Sequence, residues 1–138
     1  MMFFKWLRRE PSPASWQASI ALPPSECGRS PYTLIMYARS QPCPFVTSAR
    51  RTLARLGVPY QELLIDHDEL ARRRVLAWTG FESVPTLVLA EEGQVVPFEA
   101  VAPLPEGQSP RGVVRGAMLT EPNDSQLEAW LRAYGLLT

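Results

Sequence analysis

Cys43 stands in Gln41-Pro42-Cys43-Pro44-Phe45-Val46, where the apolar run Thr33-Leu34-Ile35-Met36-Tyr37 gives way to a helical pattern. A helix start offers backbone N–H groups without intrahelical partners and the positive end of a dipole. Both favour a thiolate over a thiol, and the thiolate is the attacking form of cysteine. The chemistry expected here is nucleophilic attack by sulfur, with a buried, merely packing cysteine as the alternative.

The other residues of chemical interest are fewer. Cys27 precedes the first strand, near its opposite end, and reads as a bystander unless the chain folds back. A disulfide to Cys43 would need Cα atoms within roughly 7 Å. His67 is the only histidine and falls in the charged turn Asp66-His67-Asp68. It reads as a surface residue away from the Cys43 end. Two cysteines and one histidine apart in sequence do not support a zinc site.

Composition narrows the function classes. The chain has 138 residues, enough for one domain with an ordinary core. Fourteen Lys and Arg balance fourteen Asp and Glu, which argues against nucleic acid or an acidic membrane surface as partner. Two cysteines are too few for a disulfide-built secreted domain. No apolar run approaches the ~20 residues of a membrane span. Met1 to Arg9 is apolar, then basic, and lacks a signal-peptide core, so a cytoplasmic location is expected. Prolines cluster in Pro11–Pro31 and Pro97–Pro122. They mark residues 1–31 as a Pro/Ser-rich N-terminal extension and 97–122 as a long loop within a domain spanning 32–138.

The elements that must position Cys43 follow from periodicity. Thr33–Tyr37 suits a strand buried on both faces. Val46, Ala49, Leu53 and Leu56 recur at helical spacing, and Gly57 then Pro59 end that helix. Tyr60–Ile65 reads as a second strand. Ala71, Val75 and Trp78 trace a second helix closed by Gly80. Thr86–Leu89 is a third strand, Glu91-Glu92-Gly93 a hairpin turn, and Gln94–Val96 a short fourth strand stopped by Pro97. Leu127, Trp130, Leu131 and Tyr134 form a last helix, with Asn123 as N-cap and Gln126 three residues on. The order β-α-β-α-β-β-α predicts an α/β fold: a four-stranded mixed sheet flanked by three helices.

Taken together, Tyr37, Cys43-Pro44-Phe45, the Leu56-Gly57-Val58-Pro59-Tyr60 turn, Thr79-Gly80 and Val84-Pro85-Thr86 resemble a glutaredoxin of the thioredoxin-like fold. The resemblance runs from about Tyr32 to Val96 and resumes in the last helix. It implies a cis Val84–Pro85 bond facing Cys43, with the Val84 backbone pairing to an extended thiol peptide as a strand would. Pro44 and Phe45 line that platform. Arg39 corresponds to a basic residue that stabilises the thiolate and holds a ligand carboxylate. Asp124 corresponds to an acidic residue of a Gly-Gly-x-Asp-Asp motif that holds the ends of glutathione. The paired glycines of that motif are absent. Val46 occupies the place of a second cysteine, which implies a monothiol mechanism.

The function expected is therefore thiol–disulfide exchange on mixed disulfides between proteins and a small thiol. Glutathione or another small thiol is the co-substrate, with no permanently bound cofactor. Two other readings remain open. One is an iron–sulfur protein, because some monothiol relatives bridge a [2Fe–2S] cluster. Pro44 and Val46 replace the glycine and serine of that class. The other is a redox-inert interaction module acting through the 97–122 loop and the N-terminal extension. The loop could also be a lid whose Arg111 and Arg115 contact carboxylates.

Overall fold

A computed structural model describes residues 31–137. The N-terminal extension up to residue 30, with Cys27, lies outside the described residues. The elements are β1 (Thr33–Ala38), α1 (Pro44–Leu56), β2 (Gln61–Leu64), α2 (Glu69–Thr79), β3 (Thr86–Ala90), β4 (Val113–Arg115), β5 (Met118–Thr120) and α3 (Asp124–Ala133). They build one mixed sheet in the order β2-β1-β3-β5-β4, an arrangement of thioredoxin type.

β1 lies parallel to β2 and antiparallel to β3, so both of its edges are paired. Leu34 through Ala38 are accordingly buried, which is why this strand reads as an unbroken apolar run. Tyr37 meets Trp78 of α2 edge-on at 5.2 Å, so α2 covers that face. Alternation along the strand turns Leu34 and Met36 to the other face, left to α1 and α3, which pack on one another. Burial also raises the pKa of the Tyr37 phenol.

The helices begin and end where sequence chemistry places them. Asp68 caps α2 by accepting from the Leu70 and Ala71 amides. Asn123 and Gln126 form a reciprocal capping box at the start of α3. Gly57 and Gly80 close α1 and α2 in the left-handed conformation, at φ 72° and 83°.

The expected fourth strand differs. Glu91–Gly93 does turn, with the Gln94 amide bonded to the Glu91 carbonyl at 2.9 Å, but 94–96 does not pair with β3. The Val95 carbonyl instead accepts from the Tyr37 hydroxyl, and Phe98 stacks on Tyr32 with ring centroids 4.0 Å apart. The chain thus leaves the sheet to cover an aromatic cluster. The edge of β3 is taken by β5, which arrives from within the expected 97–122 loop as a hairpin with β4. The sheet has five strands, not four. The hairpin turns at Gly116-Ala117, with Gly116 at φ 58° and its carbonyl bonded to the Trp130 indole at 2.9 Å.

Candidate functional site

Cys43 is the N-cap of α1, with extended backbone (φ −148°, ψ 121°), and no side chain caps that helix. Its carbonyl accepts from Thr47 at 2.9 Å, the first bond of the helix. Pro44 has no N–H to offer, so the free donors at this end belong to Phe45 and Val46, beside the sulfur. Two prolines flank the thiol and fix the entry of the chain. Cys43 is half-buried, neither walled into the core nor on a bare surface.

The Val84–Pro85 peptide bond is cis, as the resemblance implies. Among the described residues, no hydrogen bond engages the Val84 amide or carbonyl. The Glu121 N–H donates to the Pro85 carbonyl at 2.8 Å, fastening the end of β5 to this turn. Cys43 and Val84 line one open groove of about 500 Å³. A hollow of about 590 Å³ lies at the opposite end of the sheet, among Tyr32, Val58, Tyr60 and Gly135. It is lined by no cysteine, so the smaller groove is the candidate site.

Arg39 lines the groove from the end of β1. Its Nη2 donates to the Glu82 carbonyl at 3.1 Å and lies 3.8 Å from the Glu82 carboxylate. Its Nε is buried without a partner. The guanidinium therefore fastens the segment leading into Val84. Phe45 forms part of the wall, and Phe81, half exposed, stands at the rim.

The far wall comes from the insert. Gly107, Ser109, Pro110 and Arg111 line the groove, and the Arg111 guanidinium lies 4.8 Å from the Phe45 ring centroid. Its Nε is 3.6 Å from Glu121, another groove residue. Sequence reasoning missed Glu121. Its signal is weak, because an ordinary glutamate takes a left-handed conformation, at φ 46°. Arg115 points elsewhere: it donates to the Ala102 carbonyl and lies against Met118, and burial lowers its pKa.

Asp124 does not line the groove. It accepts from the Ser48 hydroxyl at 2.7 Å and so ties the start of α3 to α1. That bond, with a second to Thr52, lowers its pKa. His67 is exposed, as expected, but it is not at the far end. β1 and β2 are parallel, so the loops after them leave the sheet on the same side. His67 Nε2 lies 3.2 Å from the Ser40 hydroxyl, three residues before Cys43, and Ser40 also bonds Asp66. The Ser40 hydroxyl lowers the Asp66 pKa, and the Asp66 carboxylate lies 3.9 Å from His67 Nε2.

The thiol stands at a helix start, and the cis proline follows the groove residue Val84 without lining the groove itself. Residues 34–94 match the glutaredoxin family model. Over that segment the chain is similar to a glutaredoxin domain. No curated protein matches the chain. The glutaredoxin match covers Arg39, Cys43, Val84 and Pro85 and supports a thiol-redox role with thiol or protein-disulfide partners. It stops before Arg111, Glu121 and Asp124, which lie outside the matched segment. No helix among the described residues is long and apolar enough to cross a membrane. Nor do the described residues hold a group of three or more His, Cys, Asp or Glu that could bind a metal ion.

Proposed function

We propose that the protein is a monothiol thiol–disulfide oxidoreductase acting on mixed disulfides between proteins and a small thiol. The observation that carries the reading is the shared groove: a half-buried nucleophilic sulfur at a helix start and the unengaged Val84 backbone beside the cis Pro85.

The Cys43 thiolate attacks the small-thiol sulfur of the mixed disulfide. A new S–S bond forms to Cys43, the old one breaks, and the protein leaves as a thiolate that takes a proton from water. A second small thiol, as thiolate, attacks the outer sulfur of the Cys43 adduct. Cys43 is released, and the small thiol departs as its own disulfide. Val46 stands where a resolving cysteine would be, and this reading takes the second thiol from solution.

Val84 offers its N–H and carbonyl to the extended thiol, with Pro85 shaping the turn and Pro44 and Phe45 flanking it. Arg39 supplies positive charge to the thiolate and keeps the Val84 segment in place through Glu82. Asp124 contributes negative charge at the α3 end. Residues 32–138 form the working domain and act in the cytoplasm.

The test uses a peptide joined by a disulfide to glutathione. The wild-type protein is expected to release the peptide thiol and to gain one glutathione by intact mass, mapped to Cys43. Cys43→Ser is expected to do neither. A folded wild-type protein that forms no adduct and releases no thiol sinks the proposal and leaves the redox-inert module.

A further inference from the structure

We infer that Asp66, just past the end of β2, is a positioning residue for Cys43: its carboxylate clasps the chain at Ser40 and so fixes where the sulfur enters the groove. The inference rests on the exchange reading above and adds to it a residue that does not itself line the groove.

The chain between β1 and Cys43 has little to hold it. Ser40, Gln41 and Pro42 follow the last ladder pair, Ala38 with Leu64, and all three are exposed. Among the described residues, no backbone–backbone hydrogen bond reaches them. The anchors are side chains, one on each side. Arg39 donates to the Glu82 carbonyl, on the approach to β3. Ser40 turns to Asp66, on the β2 side. The Ser40 N–H is 3.2 Å from both carboxylate oxygens, and the Ser40 hydroxyl donates to Oδ2 at 2.5 Å. Donors on an ionised acceptor make the stronger class of hydrogen bond. The Ile65 N–H still donates to the Ala38 carbonyl at 2.8 Å. The Asp66 side chain therefore carries the pairing of β1 and β2 on to Ser40, where the backbone no longer pairs.

The clasp reaches the sulfur through a stiff connection. Pro42 precedes Cys43 and Pro44 follows it, each with φ fixed by its ring. A shift at Ser40 meets few free dihedrals before it reaches Cys43. The attacking sulfur must line up with the bond that breaks, and a small misplacement costs a large factor in rate. The Val84 segment is held from the other side, through Arg39 and Glu82. Loss of the Asp66 clasp thus leaves binding in place and moves the nucleophile. His67 is secondary. The Ser40 hydroxyl has one proton and gives it to Asp66, so the 3.2 Å contact with His67 Nε2 is a hydrogen bond only where that nitrogen carries a proton.

The experiment follows peptide-thiol release from a peptide joined by a disulfide to glutathione, under single turnover with increasing excess of the full chain. It yields a rate at saturation and a half-saturating concentration. Asp66→Ala is expected to lower the saturating rate about tenfold while the half-saturating concentration stays within about twofold. Asp66→Asn, whose amide oxygen still accepts from Ser40, recovers most of the rate. Ser40→Ala keeps a backbone amide for the carboxylate and falls between. The double variant Ser40→Ala with Asp66→Ala is no slower than Asp66→Ala alone, because both remove one contact. His67→Ala stays within about twofold of wild type. The assignment is wrong if Asp66→Asn is as slow as Asp66→Ala, if the two single losses add, or if only the half-saturating concentration moves. The pH dependence of Cys43 alkylation separates position from charge: a midpoint shift in Asp66→Ala that accounts for the whole rate loss also overturns it. If the wild-type protein releases no peptide thiol, the exchange reading falls first and the positioning role falls with it. Circular dichroism checks the fold of each variant, and Asp66→Asn with Ser40→Ala decides the matter should Asp66→Ala fail to fold.

Discussion

The Glu121 N–H donates to the Pro85 carbonyl at 2.8 Å, and this bond joins an element outside the matched family segment to the turn that faces the thiol. Next to it, Thr86 pairs with Thr120 in register, so β5 continues straight into the groove wall. Glu121 makes the join at φ 46°, a conformation that costs a side-chain-bearing residue about 1–2 kcal/mol.

Glu121→Gly should therefore stabilise the fold. Glycine relieves the strain but gives back about 0.4–1 kcal/mol through a freer unfolded chain. The pairing with Arg111, whose side chain is exposed, is worth little. A net gain of roughly 0.5 kcal/mol is expected, read as a higher midpoint in urea denaturation. A lower midpoint would mean that the side chain holds the turn more strongly than the backbone resists it.

Cys43→Ser should separate chemistry from stability. The thiol caps nothing in α1, whereas serine is among the best N-cap residues. The variant is expected to lose mixed-disulfide exchange while gaining up to about 1 kcal/mol of stability. Thermal unfolding and the peptide-release assay check the two halves. Loss of stability would show that the sulfur makes a contact the serine hydroxyl does not replace.

The Ser48–Asp124 bond should make stability depend on acid in a fixed direction. The folded-state pKa of Asp124 is depressed, first by Ser48 and next by Thr52. Its stabilising effect is thus fully present above the ordinary carboxylate range and is lost as pH falls through the depressed value. Ser48→Ala should be less stable than wild type near neutral pH, and the gap should close in strong acid. The carboxylate is exposed, so the gap is small. A difference that grows with acidification contradicts the assignment.

Gly116→Ala should weaken the β4–β5 hairpin. An added Cβ meets the Glu99 carboxylate at 2.6 Å, and the backbone sits at φ 58°. Glu99 ends in a flexible carboxylate that can swing aside, so the lasting cost is the backbone's, about 1–2 kcal/mol. The double variant with Glu99→Ala should recover little. Full recovery would place the cost in the side-chain clash.

What could be read directly from the sequence is local. Cys43 at a helix start, the Asn123–Gln126 capping box and the closing glycines Gly57 and Gly80 each depend on residues a few positions apart. The apolar run of β1 announces burial on both faces for the same reason, because the pattern lies within one strand.

What tertiary structure decided is the company each element keeps. β4 and β5 have three residues each, too short for alternation to stand out, although Val113-Val114-Arg115 before Gly116 carries a faint hairpin signal. Their place beside β3 depends on pairing across some thirty residues, and Gln94–Val96 lost that edge because Tyr37 and Tyr32 drew the following chain onto the core. His67 moved to the Cys43 side because β1 and β2 run parallel, which sets the loops together whatever their sequence. Arg111 over Phe45 joins residues 66 positions apart. The chain itself specified a cysteine at a helix start, and folding selected which arginine lies over Phe45 beside it, because that choice depends on contacts between distant segments.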